Sequence, residues 1–283
     1  MKAIQYDLKG AKTAAEALDK AECNWEAVPT DLVTVTGVAI PDSRAIIRSD
    51  NQKSIGIVGK RYVPLQMSYA FSFFDILCDQ HKATYDKAYV LDGGHKVILE
   101  ASIGGNITIR KGDEVTRKIR LINTFDGSYP FLAQFMTFRQ ICKNGLMGWA
   151  KENKCVVYHT KNAETKADAA MRVLANSTSF FNKFEMKCKE LSNKILDKKM
   201  VDVFLKAVDL ESESTRTKNQ REKVEELFVS GKGNGKGTAY DLYNGYIEWV
   251  DHFRTADPET QLANSVLGAN FLKETAFNAI SSL

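Results

Sequence analysis

Several features are missing from this sequence, and each absence narrows what the chain can be. No stretch reaches the roughly 18 consecutive apolar residues that a membrane-spanning helix needs, so no transmembrane segment is expected. The first twenty residues, MKAIQYDLKGAKTAAEALDK, place no apolar segment behind their charge and do not read as a secretory signal. The five cysteines, Cys23, Cys78, Cys142, Cys155 and Cys188, are odd in number and contain no C-x-x-C pair. Four of the five sit in apolar or amphipathic runs, which predicts buried, reduced thiols in a cytoplasmic protein. No fixed-period repeat is visible, which removes the solenoid architectures.

The composition is that of a folded globular protein: 283 residues, 44% apolar and 26% charged. The net charge of +4 is unevenly spread. Residues 1–199 hold 30 Lys and Arg against 22 Asp and Glu, whereas residues 200–283 hold 9 against 13. A basic body with an acidic tail suits a polyanionic partner, or association of unlike ends of identical chains.

The patterning predicts an α+β fold, with an antiparallel β-hairpin sheet and packed helices over residues 1–160, followed by a helical region over 161–283. Residues 12–22 read as a short leading helix. Residues 31–40 alternate as a strand that Pro41-Asp42 should end, and the Ser49-Asp50-Asn51 cluster should turn the hairpin that follows. Over residues 65–81, Met67, Ala70, Phe71, Phe74, Leu77 and Cys78 recur at helical spacing and should face a sheet. Glycine clusters at 93–94, 104–106 and 111–113 read as hairpin punctuation. Residues 121–146 read as a strand, an Asp-Gly turn, a second apolar run and the start of a helix. Residues 163–208 should form two helices, and three more should follow. In the helix near residue 245, Tyr243, Tyr246, Ile247, Val250 and Phe253 line one stripe, read as core first and as a base-stacking surface second.

The chemical motifs are mostly incomplete. GKGNGKGT at 231–238 approaches a phosphate-binding loop, but Lys236 is followed by Gly237 and a helix, not a strand, precedes it. What remains is a flexible Gly/Lys loop opening a helix, with Thr238 and Asp241 spaced as a capping box. Its amides, with Lys232 and Lys236, could hold a phosphate. A metal-dependent nuclease would want Asp, then Glu-x-Lys; Asp92 and Glu100 are suitably spaced, but Ser102 stands in the lysine position. Asp50, Asp92, Glu100 and Asp126 are the carboxylates that an enzyme acting on nucleic acid or nucleotides would use. Cys142, Cys155 and His159 lack a fourth ligand for zinc and are expected to be core groups. In residues 115–122, Lys118 and Arg120 share one strand face, read either as a solvated outer face or as a basic binding face.

Several blocks together carry a resemblance. They are IRSDNQKSIGIVGKRYVPLQ (47–66), Asp126-Gly127-Ser128, Arg139-x-x-Cys142-x-Asn144-x-Leu146 and Tyr158-His159-Thr160, with Gly237-Thr238-Ala239, Asn244, Val250-Asp251-His252, Leu267-Gly268 and Leu272-Lys273 towards the C-terminus. In order and spacing, over roughly residues 25–280, they resemble the phage/plasmid-like family built on the domain of unknown function numbered 932. Gly145, Lys143 and Tyr158 depart from that pattern, which tends to have Thr, Gln and Arg there. The resemblance implies proteins of phages, plasmids and integrative elements, and by analogy of fold the single-strand annealing proteins of recombination. The function expected on this basis is non-catalytic binding of single-stranded DNA by a homo-oligomer, with no cofactor. Arg48, Lys60, Arg61, Arg110, Lys118, Arg120, Arg139, Lys143, Lys232 and Lys236 would meet phosphates. The Asp-Gly-Ser turn, Asn144 and His159 would fix the fold.

Overall fold

The structure, a computed structural model, describes residues 2–146, 154–174, 177–210, 212–268 and 270–283. Its first part runs β1 (Ala3–Asp7), α1 (Ala14–Lys20), β2 (Ala27–Val33), β3 (Ala39–Arg48), β4 (Ser54–Gly59), α2 (Met67–His81), β5 (Ala83–Leu91), β6 (Lys96–Arg110), β7 (Asp113–Thr124), β8 (Phe131–Arg139), β9 (Asn144–Leu146) and β10 (Lys154–Val157). Helices then follow: α3 (Ala163–Leu174), α4 (Ser177–Asn193), α5 (Lys198–Ala207), α6 (Thr215–Ser230), α7 (Ala239–His252), α8 (Pro258–Ala263) and α9 (Asn270–Ser282), with a π-helical turn at Asn264–Gly268. This is the α+β class, with antiparallel strand pairs and a helical C-terminal region, as the patterning predicts. Among the described residues one sheet is ordered β1-β5-β6-β7-β8-β10, with β9 also on β8, and a second is β2-β3-β4.

The chain forms two compact units that interleave in sequence. The first takes Met1–Gly104, Lys118–Phe135 and Lys154–Asn176; the second takes Gly105–Arg117, Met136–Asn153 and Ser177–Leu283. A single cut at residue 160 therefore does not reproduce them.

In the first unit, α2 buries Met67, Ala70, Phe71, Phe74, Leu77 and Cys78, the stripe its spacing predicts. Its N-cap residue Gln66 leaves the helix amides and bonds the main chain of Ala27 on both sides, at 2.9 and 3.0 Å. The expected strand end at Pro41 is overturned. β3 continues through Pro41-Asp42 because Asp31 pairs with Arg44 and Leu32 with Ile40, so residues 41–43 bulge past β2 and Pro41 owes it no N–H. The turn lies earlier, at residues 34–38, where Gly37 adopts a φ of 82° and Thr34 Oγ1 accepts from Val38 N. The hairpin between β3 and β4 forms as expected. The Gly104-Gly105 break does not form: β6 runs through it.

The second apolar run, residues 131–139, is strand β8, and the helix expected to start after it does not begin by Leu146, since Asn144–Leu146 is strand β9. The continuous apolar character of residues 131–139 comes from burial along nearly the whole strand. The segment 163–208 holds three helices, not two. α7 is buried all round from Ala239 to Asp251, which explains why its apolar residues spread beyond one stripe. Phe253 leaves that stripe: it is half exposed, and the Lys223 ammonium sits 4.6 Å from its ring centroid. All five cysteines are free and buried. Burial pushes Cys23 and Cys78 up to about 12 and Cys155 up to about 11, so none of these three supplies a thiolate near neutral pH.

Candidate nucleic-acid interface

The ten basic residues singled out by sequence separate into two classes. Five are tied to carboxylates. Lys118 and Arg120 are 5% and 4% exposed, so the basic strand face is neither solvated nor open to a partner. Lys118 Nζ donates to Asp86 at 2.6 Å and to Glu100 at 3.1 Å, and Arg120 Nε donates to Glu100 at 2.9 Å. Asp86 reaches this cluster as the extra residue of a bulge, since Tyr85 pairs with Ala101 and Lys87 with Glu100. Arg48 pairs with Asp50 at 2.6 Å, donates to Gly93 O and lies over the Trp25 ring.

The second unit holds the other two paired arginines. Arg139 is fully buried and binds Asp113 through two bonds, of 2.8 and 2.5 Å. Its remaining donors meet Lys232 O, Gly233 O and Asn234 Oδ1. Arg110 pairs with Asp241 and also donates to Gly233 O. The Gly/Lys loop is thereby pinned and is not the flexible segment its composition suggests. The capping box of Thr238 and Asp241 forms as expected. Asp241 Oδ2 also accepts from Lys236 N, and Glu248 Oε2 from Lys232 N, so carboxylates occupy the amides that could have met a phosphate. The side chains of Lys143, Lys232 and Lys236 remain exposed.

The proposed metal ligands are also engaged. Glu100 and Asp50 are paired as above, Asp126 pairs with Lys96 and accepts from Ser128, and Asp92 accepts from Lys2 N. Among the described residues no group of three or more His, Cys, Asp or Glu side chains could hold a metal ion. These carboxylates do not fit a nuclease centre.

Lys60 and Arg61 are different. Both are exposed, on the segment leaving β4, and they line a cavity of about 1330 Å³ in the first unit. Three segments build its wall: Gly59–Val63, Gly127–Pro130 and Tyr158–Lys161, with Asp42 supplying one carboxylate. β10 sets the third segment against the second, because Val157 pairs with Phe131 and brings Tyr158 and His159 alongside Pro130 and Tyr129. The Asp126 turn is built by Ser128, which donates to Asp126 Oδ1 through N and Oγ, and by Thr124 Oγ1, which donates to Tyr129 O. Val63 N donates to His159 O at 3.1 Å, and the Tyr62 ring stacks on the imidazole at 4.7 Å between centroids. Lys161, which sequence reasoning overlooked, is a third exposed cation here; its neighbours in the cavity come from segments far apart in the chain. Lys60, Arg61 and Lys161 form no ion pair among the described residues.

Burial lowers the His159 imidazole to about 4. Its ordinary value is 6.5, so at intermediate pH the unfolded chain binds a proton that the folded one does not. The stability due to neutral His159 is complete above the ordinary value and is lost as pH falls towards 4, by about 3 kcal/mol in all. Denaturant titrations from pH 7 to 4 should show this loss in the parent protein and its absence in His159→Phe. Parallel curves would refute it.

Fold and site together define an α+β protein with a basic, tyrosine-rimmed cavity in its first unit. The family model described as "Domain of unknown function (DUF932)" matches residues 54–269, and the chain belongs to that family. The match leaves residues 47–53 and Leu272-Lys273, which also carry the resemblance, outside it. No curated protein and no solved structure matches the chain. Three of the resemblance-bearing blocks, 59–63, the Asp-Gly-Ser turn and Tyr158-His159-Thr160, meet at the cavity. In the second unit, Lys273 Nζ bonds Asp251 and Gly145 O, and the His252 ring lies 3.1 Å from Cys142 O, which ties three further blocks together.

Proposed function

We propose that this protein binds single-stranded DNA and acts, without catalysis, as a strand-annealing or recombination mediator of phage or plasmid type. The observation that carries this reading is the rim of the first unit's cavity. Lys60, Arg61 and Lys161 stand there unpaired among the described residues, beside Tyr129 and Tyr158, which are 38% and 71% exposed. Cations that follow a backbone, interleaved with aromatic faces for bases, are the two components of single-strand binding. Stacking contributes about 1–3 kcal/mol per base and is offered only to bases free of a duplex partner. The paired arginines of both units set the scaffold, so charge for phosphates comes from the exposed set. Identical subunits lined along the strand would repeat the cavity.

Anisotropy of a labelled oligothymidylate, measured over a salt series, tests the reading. The parent protein should bind with a steep salt dependence. Replacing Lys60, Arg61 and Lys161 together by alanine should weaken binding at least tenfold and reduce the salt slope by about 2, as expected for roughly three lost single-strand phosphate contacts. Absence of binding at low salt, or an unchanged slope in the triple variant, would sink it. The mass in solution with and without the oligomer reports the assembly.

A further inference from the structure

The wall of this cavity holds polar atoms that its rim of charge does not explain. His159 is 6% exposed and neither ring nitrogen has a hydrogen-bond partner; Thr160 Oγ1 is likewise buried and unpartnered. Buried polar groups are nearly always satisfied, so three unmet atoms on adjacent residues of one cavity wall, covered by their neighbours, need a reason. The imidazole is not loosely placed. Its residue is fixed through the carbonyl bond to Val63 N and the stack on Tyr62, whose hydroxyl donates to Thr124 O. What is held in position is therefore a polar edge without a protein partner.

The chemistry of that edge discriminates between ligands. Burial keeps the ring neutral near pH 7. A neutral imidazole has one N–H donor and one lone-pair acceptor, and a hydroxyl can do both. Phosphate oxygens only accept, and would leave the lone pair unmet. The edge of a nucleobase carries donors and acceptors side by side. Cations at the rim and mixed donors and acceptors in the wall match the layout of a nucleotide, with charge on its backbone and a neutral polar base. The cavity, at about 1330 Å³, exceeds the roughly 300–1,000 Å³ of small-molecule sites and has room for a base with its sugar.

We propose that the cavity takes a nucleobase turned out of a single strand, its polar edge on His159 and Thr160 and its flanking phosphates on Lys60, Arg61 and Lys161. This rests on the single-strand reading above. His159 thereby becomes a binding residue as well as a structural one. Because its nitrogens are covered, the base must displace neighbouring side chains to reach them, and exposed Tyr158 and Lys161 flank it in sequence.

The test compares a labelled oligothymidylate with an abasic strand of equal length, on the full chain and on His159→Phe and Thr160→Val. The parent should prefer the oligothymidylate about tenfold or more. Each variant should lose roughly five- to tenfold on the oligothymidylate and nothing on the abasic strand, the size of one or two lost hydrogen bonds. Equal losses on both strands, or none on either, would overturn the base pocket while leaving salt-dependent strand binding intact. Failure of the parent to bind either strand would instead remove the single-strand reading. Far-UV circular dichroism, with unchanged competition by inorganic polyphosphate, certifies that a variant is folded; if His159→Phe fails this check, Thr160→Val decides.

Discussion

Replacing Arg139 by methionine should destabilise the protein by about 4 kcal/mol, the range measured when one member of a buried ion pair is removed. The side chain is fully buried, and its two parallel bonds to Asp113 are the geometry that only a guanidinium supplies. Methionine fills much of the volume, so little of the loss is a cavity effect. Among the described residues it leaves Asp113 with the longer 3.4 Å contact to Arg110, and strips Lys232 O and Gly233 O of a donor. Arg139→Lys should recover little, because a point charge cannot span the carboxylate and the loop together. Chemical denaturation gives the free energy. Hydrogen exchange should show residues 231–236 losing protection before the rest of the second unit. A loss under about 1 kcal/mol, with the loop still protected, would mean that Arg139 is a spectator; such values are ordinary for surface pairs, not buried ones.

That arginine also marks where sequence reading stops. Helix α2 was legible because its burial obeys one period, and the Thr238 cap because its signal is local. The Gly/Lys loop was misjudged because glycine content reports what a backbone can do, whereas Arg110 and Arg139, about a hundred residues away in sequence, decide what it does. The basic strand face failed for a related reason. Alternation puts Lys118 and Arg120 on one side of β7, but it cannot say that Glu100 and a bulged Asp86 stand opposite. Lys60 and Arg61 were found by charge alone. Their companions Lys161, Tyr129 and Tyr158 could not be, since the cavity joins turns brought together by the pairing of β8 with β10. Local chemistry was readable; which charges are neutralised was not, and for a polyanion-binding site that is the decisive question.

Glu100→Gln should be comparably severe in the first unit, and its pH dependence separates an electrostatic cause from a steric one. Glutamine preserves shape and an acceptor, but removes the charge that Lys118 and Arg120, both nearly sealed from solvent, share, while Asp86 still pairs with Lys118. The expected cost at pH 7 is about 4 kcal/mol. Burial alone would raise the Glu100 carboxyl, but the charges of Arg120 and Lys118 and their hydrogen bonds outweigh it and hold the group at about 2. A carboxylate lowered in the folded state contributes stability above its ordinary value of 4.5, which is lost as pH falls towards 2. A difference of that size between folded and unfolded protein corresponds to about 3 kcal/mol. Urea titrations of the two proteins should therefore lie furthest apart near neutrality and converge by about that amount in acid, as the parent carboxylate takes up its proton. Curves that stay equally separated from pH 7 to 2 would assign the loss to packing, and the buried network would no longer account for where Lys118 and Arg120 direct their charge.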